Sequence, residues 1–290
     1  MKKALGIDLG GTKIAVAIVD DKGNIFGNVE RFPTPKTKKE IVETLKNIIS
    51  KYENEVDFFA LATAGAVNNE NTRVIGSTAN LPKGYKDIDF QSLTNKKFFL
   101  ENDANCAAWA EYKIGASKGC NNSVMLTLGT GVGGGIIIDG KLLKGKSGSA
   151  GEMHFMMSRN QERSCTCGTF DCFEAYASGN GLRKTAIETT KNPDVTTYDV
   201  IQGAKDNVDT CLKALEIWQN DIALGILGLA NIFDPDCFVL SGSMEKFVET
   251  KKIEKFVNKN TVTTPTKIYH AKAGNYSGLI GAALLGFEKI

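Results

Sequence analysis

Leu5-Gly6-Ile7-Asp8-Leu9-Gly10-Gly11-Thr12-Lys13-Ile14-Ala15-Val16-Ala17-Ile18-Val19-Asp20 decides the fold. A short apolar run delivers Asp8 to a Gly-Gly-Thr turn, and a β-branched run leaves it, stopping at the turn signal Asp20-Asp21-Lys22-Gly23-Asn24. This is strand, tight turn, strand. The same plan returns about 120 residues later, from Ser123 to Asp139. There Val124-Met125-Leu126-Thr127-Leu128 runs into Gly129-Thr130-Gly131-Val132-Gly133-Gly134, followed by Ile136-Ile137-Ile138. Two lobes, each opening with a glycine-turn hairpin, explain the repeat most simply. Residues 1–115 form the expected first lobe, joined by a C-terminal helix over 275–290. Residues 116–274 form the second.

Outward from the hairpins, Ile25 to Phe32 reads as a third strand. Lys38 to Tyr52 carries Ile41, Val42, Leu45, Ile48 and Ile49 at helical spacing. Short strands are expected at Phe58–Ala62, Lys97–Leu100, Phe238–Leu240 and Ile268–Ala271. Helices are expected at Ala104–Ile114, from Gly179 to about Phe233, and at Leu279–Glu288.

Two motif matches fail on context. Gly129-x-Gly131-x-x-Gly134 fits a dinucleotide fingerprint, but a β-branched strand follows where that fingerprint needs a helix. Gly140-x-x-x-x-Gly145-Lys146-Ser147 fits a P-loop, but Ser147-Gly148-Ser149-Ala150-Gly151 is a poor helix start.

Composition removes other classes. The 290 residues carry a net charge of only +2, from 35 basic and 33 acidic side chains. That gives no electrostatic case for nucleic acid or membrane as the main partner. Asp8 interrupts the one stretch that could imitate a signal peptide, and the apolar run Ile222–Phe233 is too short to span a bilayer. A cytoplasmic protein is expected. The seven cysteines are then expected to be reduced, with Cys106, Cys120, Cys211 and Cys237 as small buried apolar residues.

The two turns carry the chemistry. Backbone N–H groups of a glycine turn bind phosphate oxygens, and an acid beside them holds Mg²⁺. Two such cradles facing each other across a cleft suit a nucleoside triphosphate. A single glycine turn would be read as a hairpin needing positive φ. Two, both with Thr and one preceded by Asp, favour function.

At these residues the chain resembles the ROK family of sugar kinases and repressors, in the actin-like ATPase superfamily. The likeness also rests on Glu101-Asn102-Asp103-Ala104-Asn105, Gly148-x-Ala150-Gly151-Glu152, a cysteine cluster, Glu174-Ala175-Tyr176-Ala177-Ser178-Gly179 and Leu240-Ser241-Gly242. It implies a two-lobe α/β fold of the ribonuclease H-like type with a central cleft, ATP and Mg²⁺ as cofactors, and phosphoryl transfer to the 6-hydroxyl of a hexose or N-acetylhexosamine. The Glu-Ala-Tyr-Ala-Ser-Gly segment and compact length look similar to N-acetylmannosamine kinases, with glucokinase as the alternative. By the same resemblance Asp103 is the catalytic base, where the residues alone suggest a helix N-cap. Asp8, Gly10, Gly11, Thr12, Lys13, Gly129, Thr130, Gly131, Gly133 and Gly242 are implied to hold ATP. Gly65, Asn80, Asn102, Asp103, Glu152 and Glu174 are implied to meet the sugar, and the chain is implied to be a homodimer.

Cys165-x-Cys167-x-x-x-x-Cys172 has the family's zinc spacing, which one histidine would complete as a closed site. Relatives place that histidine in Gly-Glu-x-Gly-His. Here Phe155 takes its position, His154 sits one place early, and Asp171 replaces a glycine. A slip by one residue turns a side chain to the other face of an extended segment. Either the loop brings His154 to zinc, or a Cys₃ site uses another ligand, or zinc is absent. A sugar-responsive repressor would need a DNA-binding module, for which a first strand at Ala4 leaves no space. A sugar sensor without catalysis is the remaining rival.

Overall fold

The computed structural model describes residues 2–76, 81–157 and 159–289. The opening segment folds as β1 (Lys3–Leu9) and β2 (Lys13–Asp20), antiparallel, with Asp8 opposite Ala15. β3 (Ile25–Pro33) continues the meander. α1 (Lys38–Tyr52) then buries Ile41, Leu45, Ile48 and Ile49 and is capped by the Thr37 side chain. β4 (Phe58–Thr63) and β5 (Phe98–Asn102) complete a sheet of order β3-β2-β1-β4-β5. β1, β4 and β5 are mutually parallel, and Leu9 pairs with Thr63, which pairs with Asn102. Their carboxyl ends therefore align, which is where α/β sheets bind ligands. α2 (Asp103–Ile114) starts directly from β5.

The second sheet follows the same logic. It has the order β10-β9-β6-β7-β8, built from β6 (Ser123–Leu128), β7 (Val132–Ile138), β8 (Lys141–Leu142), β9 (Cys237–Ser241) and β10 (Lys267–His270). Thr127 pairs with Ser241 and Leu240 with His270, so these strand ends also align.

Three details differ from expectation. The helical region after Gly179 is not continuous. It forms α4 (Gly179–Thr190), α5 (Thr197–Lys205) and α6 (Asp209–Phe233), preceded by a single turn, α3 (Glu174–Ala177). Lys191 adopts φ 58°, which ends α4, and Thr196 with Asp199 forms a capping box that starts α5. α7 (Thr250–Asn260) was hidden because only Ile253 and Val257 give its Lys-rich segment an apolar stripe. Third, β7 starts at Val132, so Gly133 and Gly134 lie in the strand rather than the turn.

The chain divides into two compact units. One comprises Met1–Gly119, Gly135–Gly151 and Lys272–Ile290, and the other Cys120–Gly134 and Glu152–Ala271. Residues 135–151, expected in the second lobe, fall in the first. Ile137 joins a core cluster with Trp109, Ala110 and Leu279, so the last half of β7 packs there. The last helix, α8 (Ser277–Lys289), belongs to the first unit and is buried along most of its length. Among the described residues no helix is long and apolar enough to cross a membrane.

Candidate active site

In the first unit, β1 carries half-buried Asp8 to its turn. Gly10 N–H donates to the Lys13 carbonyl at 3.0 Å, and Thr34 braces the turn from outside. Its hydroxyl donates to the Gly10 carbonyl at 2.6 Å. Burial pushes the Asp8 carboxyl up, and nearby Lys13 pulls it back in part. A divalent cation would relieve that cost, so the acid fits an Mg²⁺ ligand.

At the end of β5 the sequence Glu101-Asn102-Asp103 divides its labour. Asn102, not Asp103, caps α2: its Oδ1 accepts from the N–H groups of Ala104 and Asn105 at 2.9 and 3.1 Å. Its Nδ2 donates to the Gly65 carbonyl at 3.1 Å, and Gly65 has φ 94°. Asp103 is the first helical residue, half-buried, and one carboxylate oxygen accepts from Ala104 N–H at 2.8 Å. Buried Tyr85, hydrogen-bonded to Thr63 at 2.7 Å, has its hydroxyl pushed up by burial and also feels the Asp103 charge. Buried Cys106 is raised by desolvation first and then by the charges of Glu101, Asp103 and Asp8.

Glu101 has a role that its motif alone did not disclose. Its side chain is 1% exposed and pairs with Lys144 at 2.7 Å. It also accepts from Asn71 Nδ2 at 2.8 Å and from the Asn102 N–H at 2.8 Å. Lys144 Nζ further donates to the Asn68 carbonyl at 2.9 Å. The pair thus ties the loop after β8 to the backbone that presents Asp103. Lys144→Met is expected to destabilise the protein by about 3 kcal/mol, because an unpaired buried carboxylate remains. Lys144→Met with Glu101→Gln should recover much of that loss in urea denaturation. Equal stabilities of wild type and Lys144→Met would refute the pairing.

In the second unit, the turn Gly129-Thr130-Gly131 leads into β7. Gly129 N–H donates to the Gly131 carbonyl at 3.0 Å, and Gly179 N–H donates to the Gly129 carbonyl at 2.8 Å. Gly133 N–H is spent on Thr127 Oγ1 at 3.1 Å. Glu174 accepts from Val132 N–H at 3.0 Å and from the Thr166 hydroxyl at 2.9 Å. A Cβ at Gly131 would stand 2.3 Å from that carboxylate. Glu174, implied by resemblance to grip sugar, therefore has both oxygens engaged in bracing the turn and the cysteine loop. A cavity of 190 Å³ opens beside Thr130, Glu174, Ser178, Asn180 and Arg183. Gly242 follows β9 with φ 93°, and a Cβ there would meet the Leu128 carbonyl oxygen at 2.3 Å. Only glycine suits that position. Glu152 is exposed, 4.0 Å from His154. Asn80 lies outside the described residues.

The cysteine loop brings together all four proposed ligands. The ligand atoms of His154, Cys165, Cys167 and Cys172 lie within 4.8 Å of one another. Tetrahedral zinc with Zn–S bonds of about 2.3 Å needs sulfur separations of about 3.8 Å. Cys167 and Cys172 are 3.4 Å apart, and Cys165 is 3.8 Å from His154 Nδ1. The donor set fits zinc. Met156 bridges Cys172 in antiparallel fashion, so the strand-like alternation sends His154 to the sulfurs and Phe155 to the other side. Phe155 stacks on buried Phe173, ring centroids 4.8 Å apart. The loop brings His154 to the three cysteines, the arrangement that the first of the three alternatives requires. Asp171 takes φ 55°, a left-handed conformation that Gly, and less often Asn or Asp, adopts. Burial would raise its carboxyl, but the Tyr176 hydroxyl and the N–H groups of Arg163, Gln161 and Glu162 hold it below the ordinary value. The Cys167 thiol is drawn down to about 6, first by the Thr169 hydroxyl, while burial raises Cys165 to about 12.

Two sheets of one plan, each ending in a glycine turn at aligned strand ends, define an α/β protein of the actin-like ATPase class. The chain belongs to the ROK family, whose pattern matches residues 4–289. It is 31% identical over 315 residues to a glucokinase of Streptomyces coelicolor, covering 99% of this chain and 98% of that one. It is 31% identical over 297 residues to an N-acetylmannosamine kinase of Yersinia pestis, covering 98% of each. Among solved structures it resembles a ROK glucokinase from Streptomyces griseus in complex with glucose and AMPPNP. There the TM-score is 0.79, with 27% identity and 98% of each chain covered.

Proposed function

We propose that this chain is an ATP-dependent sugar kinase that transfers the γ-phosphoryl group to the 6-hydroxyl of an N-acetylhexosamine or hexose. N-acetylmannosamine is placed first and glucose second. The observation that carries the reading is the position of Asp103. Asn102 caps α2, and Asp103 directly follows β5, whose end aligns with the Asp8-bearing end of β1 through the Leu9–Thr63 and Thr63–Asn102 pairings. A carboxylate in that place can accept the proton of an attacking hydroxyl. Asp8 would hold Mg²⁺, and each glycine turn would offer N–H groups to phosphate oxygens of ATP. Bound Mg²⁺ supplies charge neutralisation on the phosphates.

On the sugar side, Gly65, Asn80, Asn102 and Glu152 are the proposed contacts. Glu174 is moved in this reading to support of the glycine turn. N-acetylmannosamine is placed first on the Glu174-Ala175-Tyr176-Ala177-Ser178-Gly179 segment and the compact length, which look similar to N-acetylmannosamine kinases. A structural zinc, a cytoplasmic setting and a homodimer complete the proposal.

A coupled ADP-release assay over a panel of hexoses and N-acetylhexosamines tests it. ADP release dependent on N-acetylmannosamine, and at least tenfold faster than with glucose, is the expected result. Faster turnover of glucose would install the second substrate. Sugar binding without ADP release from any panel member would make the chain a sensor.

A further inference from the structure

We propose that Cys120 and Cys237 form an oxidation site, closed by hydroperoxide into a reversible intrachain disulfide. Neither residue belongs to the zinc-type cluster or to the proposed kinase machinery. Their sulfur atoms lie 2.7 Å apart, well inside van der Waals contact. Cys120 opens the second unit and Cys237 is the first residue of β9.

The backbone holds the two thiols together independently of any bond. Asp236 Oδ2 accepts from the N–H groups of Asn121 and Asn122, both at 2.8 Å. The Asp236 N–H donates to the Asn122 carbonyl at 3.0 Å. Ser123 then pairs with Cys237 in the parallel β6–β9 ladder. Closing the bond therefore orders nothing that is not already ordered, which is the condition that engineered disulfides commonly miss.

Access sets the sequence of steps. Cys120 is half-buried, whereas Cys237 is 1% exposed. The Cys120 sulfur attacks hydrogen peroxide, giving a sulfenic acid and one water. The Cys237 sulfur attacks that sulfenic sulfur and displaces hydroxide, which takes the Cys237 proton and leaves as a second water. Two thiols lose two electrons, and the peroxide gains them. A dithiol reductant reverses the bond by exchange. The product staples the segment entering β6 to the start of β9, the strand whose far end carries Gly242.

Differential alkylation with peptide mass mapping tests the proposal on the full chain, treated with hydrogen peroxide and then with dithiothreitol. A cross-linked peptide pair containing Cys120 and Cys237 is expected, lost on reduction. The oxidised chain should melt higher by roughly 5 °C, since the bond closes a long loop spanning residues 120–237. Cys120→Ser, at a half-buried position, should abolish both the cross-link and the shift. Cys120 and Cys237 that stay alkylatable after oxidation would overturn the proposal. So would an equal shift in Cys120→Ser. Neither readout depends on sugar phosphorylation, so its failure leaves the kinase reading untouched, and the reverse holds.

Discussion

Asp103→Asn is expected to lower kcat by about 10²–10⁴-fold, the range supplied by a positioned general base. The substitution keeps size and shape, and its amide oxygen can still accept from Ala104 N–H, now at 2.8 Å from the carboxylate. Asn102 keeps the cap in place, so α2 should not unravel. The variant should therefore fold, and its sugar dissociation constant by calorimetry should stay within roughly threefold of wild type. That split matters, because loss of fold would remove binding and turnover together. A variant with full turnover would remove Asp103 from the mechanism.

Zinc removal carries the second large expected effect. Purified protein should hold one zinc per chain by elemental analysis, and Cys172→Ala should hold less than a tenth of that. Cys172 is buried and lies in the pairing with Met156 that turns His154 toward the sulfurs. If zinc is bound, chelation would leave three thiols and an imidazole without a shared ion, and structural zinc sites contribute folding energy directly. The melting temperature should fall by roughly 5 °C or more. The loss should also reach the nucleotide. Thr166 of the cysteine loop holds Glu174, and Glu174 holds the N–H of Val132 at the end of the glycine turn. The KM for ATP should rise about tenfold, as when an outer-shell partner is removed from a site, while the KM for sugar changes less. Metal-free protein with unchanged melting and unchanged ATP dependence would refute this coupling.

Both glycine-turn hairpins were legible in the sequence because their signals are local. Asp8-Leu9-Gly10-Gly11-Thr12 and Leu128-Gly129-Thr130-Gly131 lie between β-branched runs with period-two patterning. α1 was equally plain from its apolar stripe. Partnerships across the chain were not legible. Nothing local in Lys141-Leu142-Leu143-Lys144 says that Lys144 finds Glu101, because the ion pair depends on how β8 and its loop fold back. The hydrogen bond from Val132 N–H to Glu174 spans 42 positions, so no local signal announces it. The division between Asn102 as cap and Asp103 as first helical residue is also a matter of one dihedral pair, which residue types alone leave open. His154 was undecidable by counting, since the answer rested on which residue of an extended pair faces the sulfurs.

In the proposed reaction phosphate moves from ATP to a carbohydrate hydroxyl. ³¹P NMR of the protein with ATP, Mg²⁺ and N-acetylmannosamine tests it most directly. The signal of a phosphomonoester on the sugar C6 oxygen should grow in step with ADP, and should be missing with Asp103→Asn. ATP left intact with every sugar of the panel, or ADP accompanied only by inorganic phosphate, would contradict it.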